Sequence, residues 1–322
     1  MYSKDKIILG LKHPKKALIY FISGKVKKNL DGFDRDKSLE LYNMTKQHNK
    51  NSKFFAYFEF YKRILTDTLS DESLRNRFFN NPEQMSESEI ASSVMSKVNQ
   101  KEVKQNGRGG IWNKRTYTMI GDRLNNLQFC VEDVLKNNIK GDMIETGVWR
   151  GGACIFMRLI LKKYGVKDKI VYVADSFEGL PKPDVVKYPK DANDIHHIID
   201  ILKVSVEEVQ NNFKTCGVLD DQVKFLKGWF KDTLNHPPFE RLSILRLDGD
   251  MYESTWDVLT NLYDKLSIGG YVIIDDYALT ACHAAVDEFR SQNNIVEPIE
   301  YFNAGNVYWK KITETHTTST SN

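Results

Sequence analysis

The chain has 322 residues, with 46 basic against 43 acidic side chains and a formal net charge of +3. That balance is too small to argue for nucleic acid as a partner, and a composition 41% hydrophobic and 28% charged is that of a soluble globular protein rather than a disordered chain. No apolar run approaches the ~20 residues that span a bilayer, and the short run from Ala17 to Ile22 lacks the cleavage site of a secretory signal, so no transmembrane segment or leader is expected.

Residues 1–53 read as a basic N-terminal extension, in which Lys12, Lys15, Lys16, Lys25, Lys27 and Lys28 alternate with aromatic and aliphatic residues. The composition fits a solvated extension and leaves open a peripheral contact with a membrane or a partner. Residues 54–138 read as a helical lead-in. Apolar residues recur at helical spacing from Phe54 to Leu69 and again from Thr116 to Asn137, where Leu124, Leu127, Val131 and Leu135 share a face. Between them Ser70–Gly110 is polar, with loop signals at Asn80-Asn81-Pro82 and Gly107-Arg108-Gly109-Gly110.

From 139 to 311 strand and helix patterns alternate. Strands are predicted at Met143–Thr146, Ile170–Asp175, Val223–Leu226, Ser243–Leu247 and Tyr271–Ile274, the last opened by Gly269-Gly270. Helices are predicted at Ala153–Tyr164, Ser205–Cys216, Ser254–Leu266 and Ala281–Gln292, the second started by a Ser205/Glu208 capping box and ended by Gly217. Val296–Phe302 and Val307–Lys310 close the core as a hairpin. The pattern predicts an α/β fold: a seven-stranded, mostly parallel sheet with helices on both faces. The Phe177–Val204 segment, broken by Pro181, Pro183 and Pro189, has the length of a lid or binding loop. The Thr/Ser-rich tail, 312–322, is expected to be disordered. Cys130, Cys154, Cys216 and Cys282 are far apart, so a reduced, cytoplasmic setting is the simplest expectation.

Two strands end on aspartates, one in Leu245-Arg246-Leu247-Asp248-Gly249-Asp250 and the other in Val272-Ile273-Ile274-Asp275-Asp276. Carboxylates at such strand ends lie where α/β sheets bind ligands, and three on two strands could hold a hard divalent cation. The alternative is helix capping, which Asp276 could do for the helix that follows. The first core strand runs into Glu145-Thr146-Gly147-Val148-Trp149-Arg150-Gly151-Gly152, which departs from the dinucleotide pattern G-x-G-x-x-G. An acid before the first glycine suits a ligand with a positive end, such as S-adenosylmethionine. Asp175-Ser176, ending the second strand, could receive a ribose. An ordinary strand–helix turn is the alternative for Gly147, Gly151 and Gly152.

The runs GDMIETGVWRGGACIFMR, VADSFEGLP, GWFKDTL, LRLDGD and GGYVIIDDY, with YKRILTDTL and YTMIGDRLNNLQFCVEDVL upstream, resemble the macrocin O-methyltransferase family from about Tyr57 to Trp309. The resemblance implies a class I methyltransferase fold. It implies methylation of a sugar hydroxyl, on a deoxysugar or other glycan acceptor, with S-adenosylmethionine as donor and Mg²⁺ as metal. Asp248 maps onto a residue that is both metal ligand and general base, and Asp275 and Asp276 map onto the other ligands. Asp250 is left as a loop residue. The cofactor set expected is Thr118, Met119, Glu145, Thr146, Gly147, Gly151, Asp175, Ser176 and Trp229. Thr118 and Met119 would close over the donor, and Trp229 either stacks on adenine or sits in the core. His196 or His197 from the long loop, with Tyr252 and Glu253, would face the acceptor. Relatives commonly carry arginine where this chain has His283, and they self-associate, so a homo-oligomer is expected. Two rival readings are a nicotinamide-dependent sugar oxidoreductase, which the missing G-x-G-x-x-G opposes, and a non-catalytic cofactor-binding module, which the intact acids oppose.

Overall fold

The computed structural model describes residues 33–69, 71–81, 85–95, 115–118, 121–303 and 305–314. Seven strands form one sheet: β1 (Asp142–Thr146), β2 (Val171–Asp175), β3 (Val223–Lys227), β4 (Leu242–Leu247), β5 (Leu266–Ile274), β6 (Glu300–Tyr301) and β7 (Val307–Lys310). Their order is β3-β2-β1-β4-β5-β7-β6. The first five run parallel, and β7 is antiparallel to β5 and β6. The described helices are α1 (Arg35–Lys50), α2 (Phe55–Leu65), α3 (Glu72–Asn80), α4 (Glu87–Met95), α5 (Gly121–Lys136), α6 (Gly152–Tyr164), α7 (Val206–Thr215), the short α8 (Phe230–Thr233), α9 (Tyr252–Leu262) and α10 (Thr280–Gln292).

Side chains alternate across the pleat, so each strand feeds two cores. Met143, Val171, Val173, Ile244 and Ile273 pack with Leu124, Val131 and Phe156 of α5 and α6. Ile144, Tyr172, Leu245, Val272 and Ile274 pack with Val258, Leu262, Val286 and Phe289 of α9 and α10. Burial on both faces explains why these strands read as continuous apolar runs. By the same alternation Glu145, Arg246, Asp248 and Asp275 fall on the face that carries α5 and α6.

The extension is not solvated throughout. Asp34 caps α1 by accepting from Asp36 and Lys37 N–H, and the helix docks on α5 and β6. Asn49 Nδ2 donates to Asn125 O at 3.1 Å, Ser52 Oγ donates to Glu132 at 2.5 Å, and Tyr42 packs 5.6 Å from Phe302. Lys12, Lys15, Lys16, Lys25, Lys27 and Lys28 lie outside the described residues, as do Gly107–Gly110 and most of the tail. Part of the polar stretch after Ser70 is helical: Asp71 caps α3 through Leu74 N–H at 2.9 Å, and Leu74, Phe78 and Ile90 bury a sparse apolar stripe. The predicted helix at Thr116 starts later, at Gly121, because Tyr117 and Thr118 donate their N–H groups to Leu65 O instead.

Three further boundaries differ. α9 stops at Leu262, and a 3₁₀ turn at Tyr263–Lys265 leads directly into β5, which starts five residues before Tyr271. Gly269-Gly270 therefore lies inside β5, where Gly269 at φ +86° marks an irregularity in the register with β4. The closing hairpin has its second strand as predicted, while the first shortens to Glu300–Tyr301. The four cysteines are buried and free. Among the described residues no helix is long and apolar enough to cross a membrane.

Candidate active site

The strand order reverses between β1 and β4, and a cavity of about 530 Å³ opens at the carboxyl ends of the strands there. Such switch points are where open α/β sheets receive ligands, and the volume suits a small molecule.

One wall is the glycine turn. Gly147 sits at φ +85°, and a Cβ there would lie 2.0 Å from Asp248 O. Only glycine lets the end of β1 pass this close to the end of β4. Gly152 N–H donates to Tyr117 O at 3.1 Å, and a Cβ on Gly152 would meet that oxygen at 2.5 Å, which brings the Thr116–Thr118 strand of chain over the turn. Asp175 fixes the turn from β2: its two oxygens accept from Val148 N–H and Phe177 N–H, each at 2.7 Å. Burial raises its carboxyl pKa against those backbone bonds. Trp149, Phe177 and Asp250 all hold left-handed backbone at φ +48° to +58°, so local strain gathers around this cavity. Gly147→Ala is expected to destabilise the fold by roughly 2–5 kcal/mol, from a left-handed penalty of ~1–2 and overpacking of ~1–3. A urea unfolding midpoint equal to wild type would contradict it.

The floor is a buried charge cluster. Glu145 and Arg246 are cross-strand partners on β1 and β4, and their side chains form an ion pair. The Arg246 guanidinium also pairs with Asp275 and lies 3.2 Å from Asp248 Oδ2. Arg123 of α5 adds a second cation, 2.6 Å from Asp275 Oδ2. The second Glu145 oxygen accepts from Cys154 N–H at 3.0 Å, at the start of α6.

These contacts separate the acids. Burial would raise the Asp275 carboxyl, but Arg123 and Arg246 prevail and hold it below its usual value. Burial, then Asp275, push Asp248 up to about 6 against the pull of the arginines. Burial, then Asp250 and Asp248, push Asp276 well above its usual value. Burial raises Glu145 to about 7 although Arg246 opposes it. The cluster is thus richest in acid around Asp250 and Asp276, while Asp248 stands at the edge of Arg246. As the side chains stand, no three of the described His, Cys, Asp or Glu residues converge into a metal site. Asp275 is turned to its two arginines.

Of the residues singled out in the sequence, Thr118, Glu145, Gly147, Asp175, Ser176 and Trp229 line the cavity, as do His196, Asp248, Asp275 and Asp276. Asp250, set aside as a bystander, lines it too, and its N–H donates to Asp276 Oδ2 at 3.2 Å. Thr146 is buried behind the wall, with Oγ1 bonded to Arg246 O. Gly151 packs against Val209 and Phe213 of α7. Tyr252 is turned aside because α9 begins at that residue and points its ring at Tyr188 and Trp256, whereas its neighbour Glu253 does line the cavity. His197 is absent from the wall, and Met119 lies outside the described residues. His283 pairs with Asp287 at 2.8 Å and stacks on Tyr277. Arg123, Tyr117 and Phe230 are cavity residues that sequence reasoning passed over, and Arg246 is the buried charge it missed beneath them.

Sheet order, glycine turn and acidic strand ends together define a class I methyltransferase. The macrocin-O-methyltransferase (TylF) family matches residues 55–311, and the chain belongs to that family; it is an O-methyltransferase, with S-adenosylmethionine as methyl donor. It is 51% identical over 213 residues, 65% of this chain and 80% of the relative, to demethyldecarbamoylnovobiocin O-methyltransferase of Streptomyces niveus. It is 53% identical over 199 residues, 61% of this chain and 78% of the relative, to mycinamicin III 3''-O-methyltransferase of Micromonospora griseorubida. The structure of the O-methyltransferase NovP superposes with a TM-score of 0.67 at 43% identity, covering 80% of this chain and 98% of that one.

Proposed function

We propose that this enzyme transfers the methyl group of S-adenosylmethionine to a hydroxyl of a sugar carried by a small-molecule or glycan acceptor, with Asp248 as general base and Mg²⁺ held by Asp248, Asp275 and Asp276. The observation that carries the reading is that the strand-end acids Asp248, Asp275 and Asp276 line the same cavity as the glycine turn. The relatives' names support the acceptor class, since one methylates mycinamicin III and another a dimethoxy-rhamnosyl tetracenomycin.

The donor carries an electrophilic methyl on a sulfonium sulfur, and Mg²⁺ bound among hard carboxylate oxygens would polarise the acceptor hydroxyl. The chain's residues do the remainder. Glu145, Gly147 and Asp175 seat the donor, with Ser176, Thr118 and Trp229 around it. Asp248, at the end of β4 on the cavity wall, takes the hydroxyl proton. Glu253 and His196 border the acceptor side. Holding oxygen, methyl carbon and sulfur in line supplies the rest of the rate. In support of a cation, Asp248 and Asp250 both raise the Asp276 carboxyl, a repulsion that a bound metal would relieve, and Asp275 would have to turn from its arginines to join them.

Labelled S-adenosylmethionine offered with mycinamicin III and demethyldecarbamoylnovobiocin tests both parts. Transfer should fall by about 10²-fold or more in EDTA and return with Mg²⁺, the scale of one lost catalytic interaction. Full activity in EDTA removes the metal from the mechanism.

A further inference from the structure

The long loop between β2 and α7 is fastened to the acceptor side of the cavity at one buried point. Asp191 is 1% exposed, and its carboxylate accepts from Tyr252 N–H at 2.7 Å and Glu253 N–H at 2.9 Å. Those are first-turn amides of α9. The helix has no side-chain cap of its own, because its cap position is Met251. Helix starts leave such amides orphaned, and a carboxylate there is also favoured by the helix dipole. Here the cap comes from a residue 61 positions earlier.

Two neighbours reinforce the joint. Tyr188 packs on Tyr252, which stacks at 8° on Trp256, and Lys190 reaches Glu288 of α10. On the other side α9 is preceded directly by Asp248-Gly249-Asp250-Met251, the turn in which Asp250 takes its left-handed conformation. Beyond Asp191 the loop continues to the cavity: Asp194 N–H donates to Asp191 O at 2.8 Å, and Asp194 holds the Nδ1 edge of cavity-lining His196 at 2.7 Å.

We infer that Asp191 is a positioning residue for the acceptor half of the site: its carboxylate makes closure of the 177–204 loop and the setting of the Asp248–Asp250 turn a single event. The inference rests on the proposed function for what is bound there. The donor half, built on β1, β2 and α6, has fastenings that do not pass through Asp191: Asp175 accepts from Val148 N–H, Glu145 accepts from Cys154 N–H, and Trp149 Nε1 donates to Ile201 O at 2.9 Å at the far end of the loop. Loss of the Asp191 cap should therefore fall on the acceptor and spare the donor.

The test compares wild type, Asp191→Asn and Asp191→Ala as full chains. In Asp191→Ala, hydrogen exchange should quicken together across 177–204 and 248–253, while 147–153 keeps its protection. Donor affinity by calorimetry should stay within about twofold, and KM for mycinamicin III should rise about tenfold, a larger change than in kcat. Asp191→Asn, whose amide oxygen can still accept a bond, should recover part of both. Exchange that quickens in only one segment, or donor and acceptor affinities that fall together, would overturn the inference. A wild type inert toward that acceptor bears on the proposed function instead, and the exchange and donor measurements still decide the role of Asp191.

Discussion

Arg246→Met is expected to destabilise the protein by about 3–5 kcal/mol, the cost of removing one partner from a buried charge cluster. Arg246 is 2% exposed and pairs with Glu145 and Asp275, each also 2% exposed. Methionine fills the space but leaves two carboxylates buried with less positive charge, Asp275 keeping only Arg123. Arg246→Lys should fall between, since one ammonium cannot bridge three carboxylates as a guanidinium does. The loss should also depend on pH. Glu145 titrates at about 7 in the folded chain, above the ordinary carboxyl range, so the folded state binds more protons than the unfolded state between ~4 and 7, and its contribution weakens as pH rises. Without Arg246 that window extends upward, so the variant should be nearer wild type at pH 5 than at pH 8. Urea melts at both values read this directly; a midpoint equal to wild type at pH 8 would show that the cluster carries no such energy.

Asp248→Asn should lower kcat by about 10²- to 10⁴-fold, the usual range for loss of a positioned general base, while the chain still binds S-adenosylmethionine. The substitution keeps the shape and removes the proton acceptor. The neighbouring carboxylates are placed differently: Asp275 is held by two guanidiniums, and Asp276 lies two residues past the end of β5. Steady-state kinetics with donor binding measured in parallel check this. A variant retaining a tenth or more of wild-type kcat would move the base elsewhere.

The sheet was legible because both of its faces are buried, which leaves an apolar signature in sequence. The strand-end acids were legible for a related reason, as each interrupts such a run. The arginines were not. Arg246 sits in the middle of an apolar strand and was read as part of it, although Glu145 occupies the matching place in β1 and opposite charges at register partners are a pairing signal. Arg123 lies near the start of α5 and meets Asp275 only through the crossing of helix over sheet, which no local pattern encodes. α3 and α4 were missed because nine-residue helices with so few apolar positions look like polar loop. Asp191 could not be told from any other loop aspartate, since its partners are amides far along the chain. Asp250 was set aside as a loop residue, and it lines the cavity from the left-handed backbone it takes there.

The most direct test of the account is to incubate the wild-type chain with [methyl-¹³C] S-adenosylmethionine, Mg²⁺ and mycinamicin III, and to locate the label in the product by NMR. The account predicts a new O–CH₃ on a sugar ring, formed in wild type and lost in Asp248→Asn. A label on nitrogen or carbon, or no transfer to this acceptor and to demethyldecarbamoylnovobiocin from a chain that binds the donor, would contradict it.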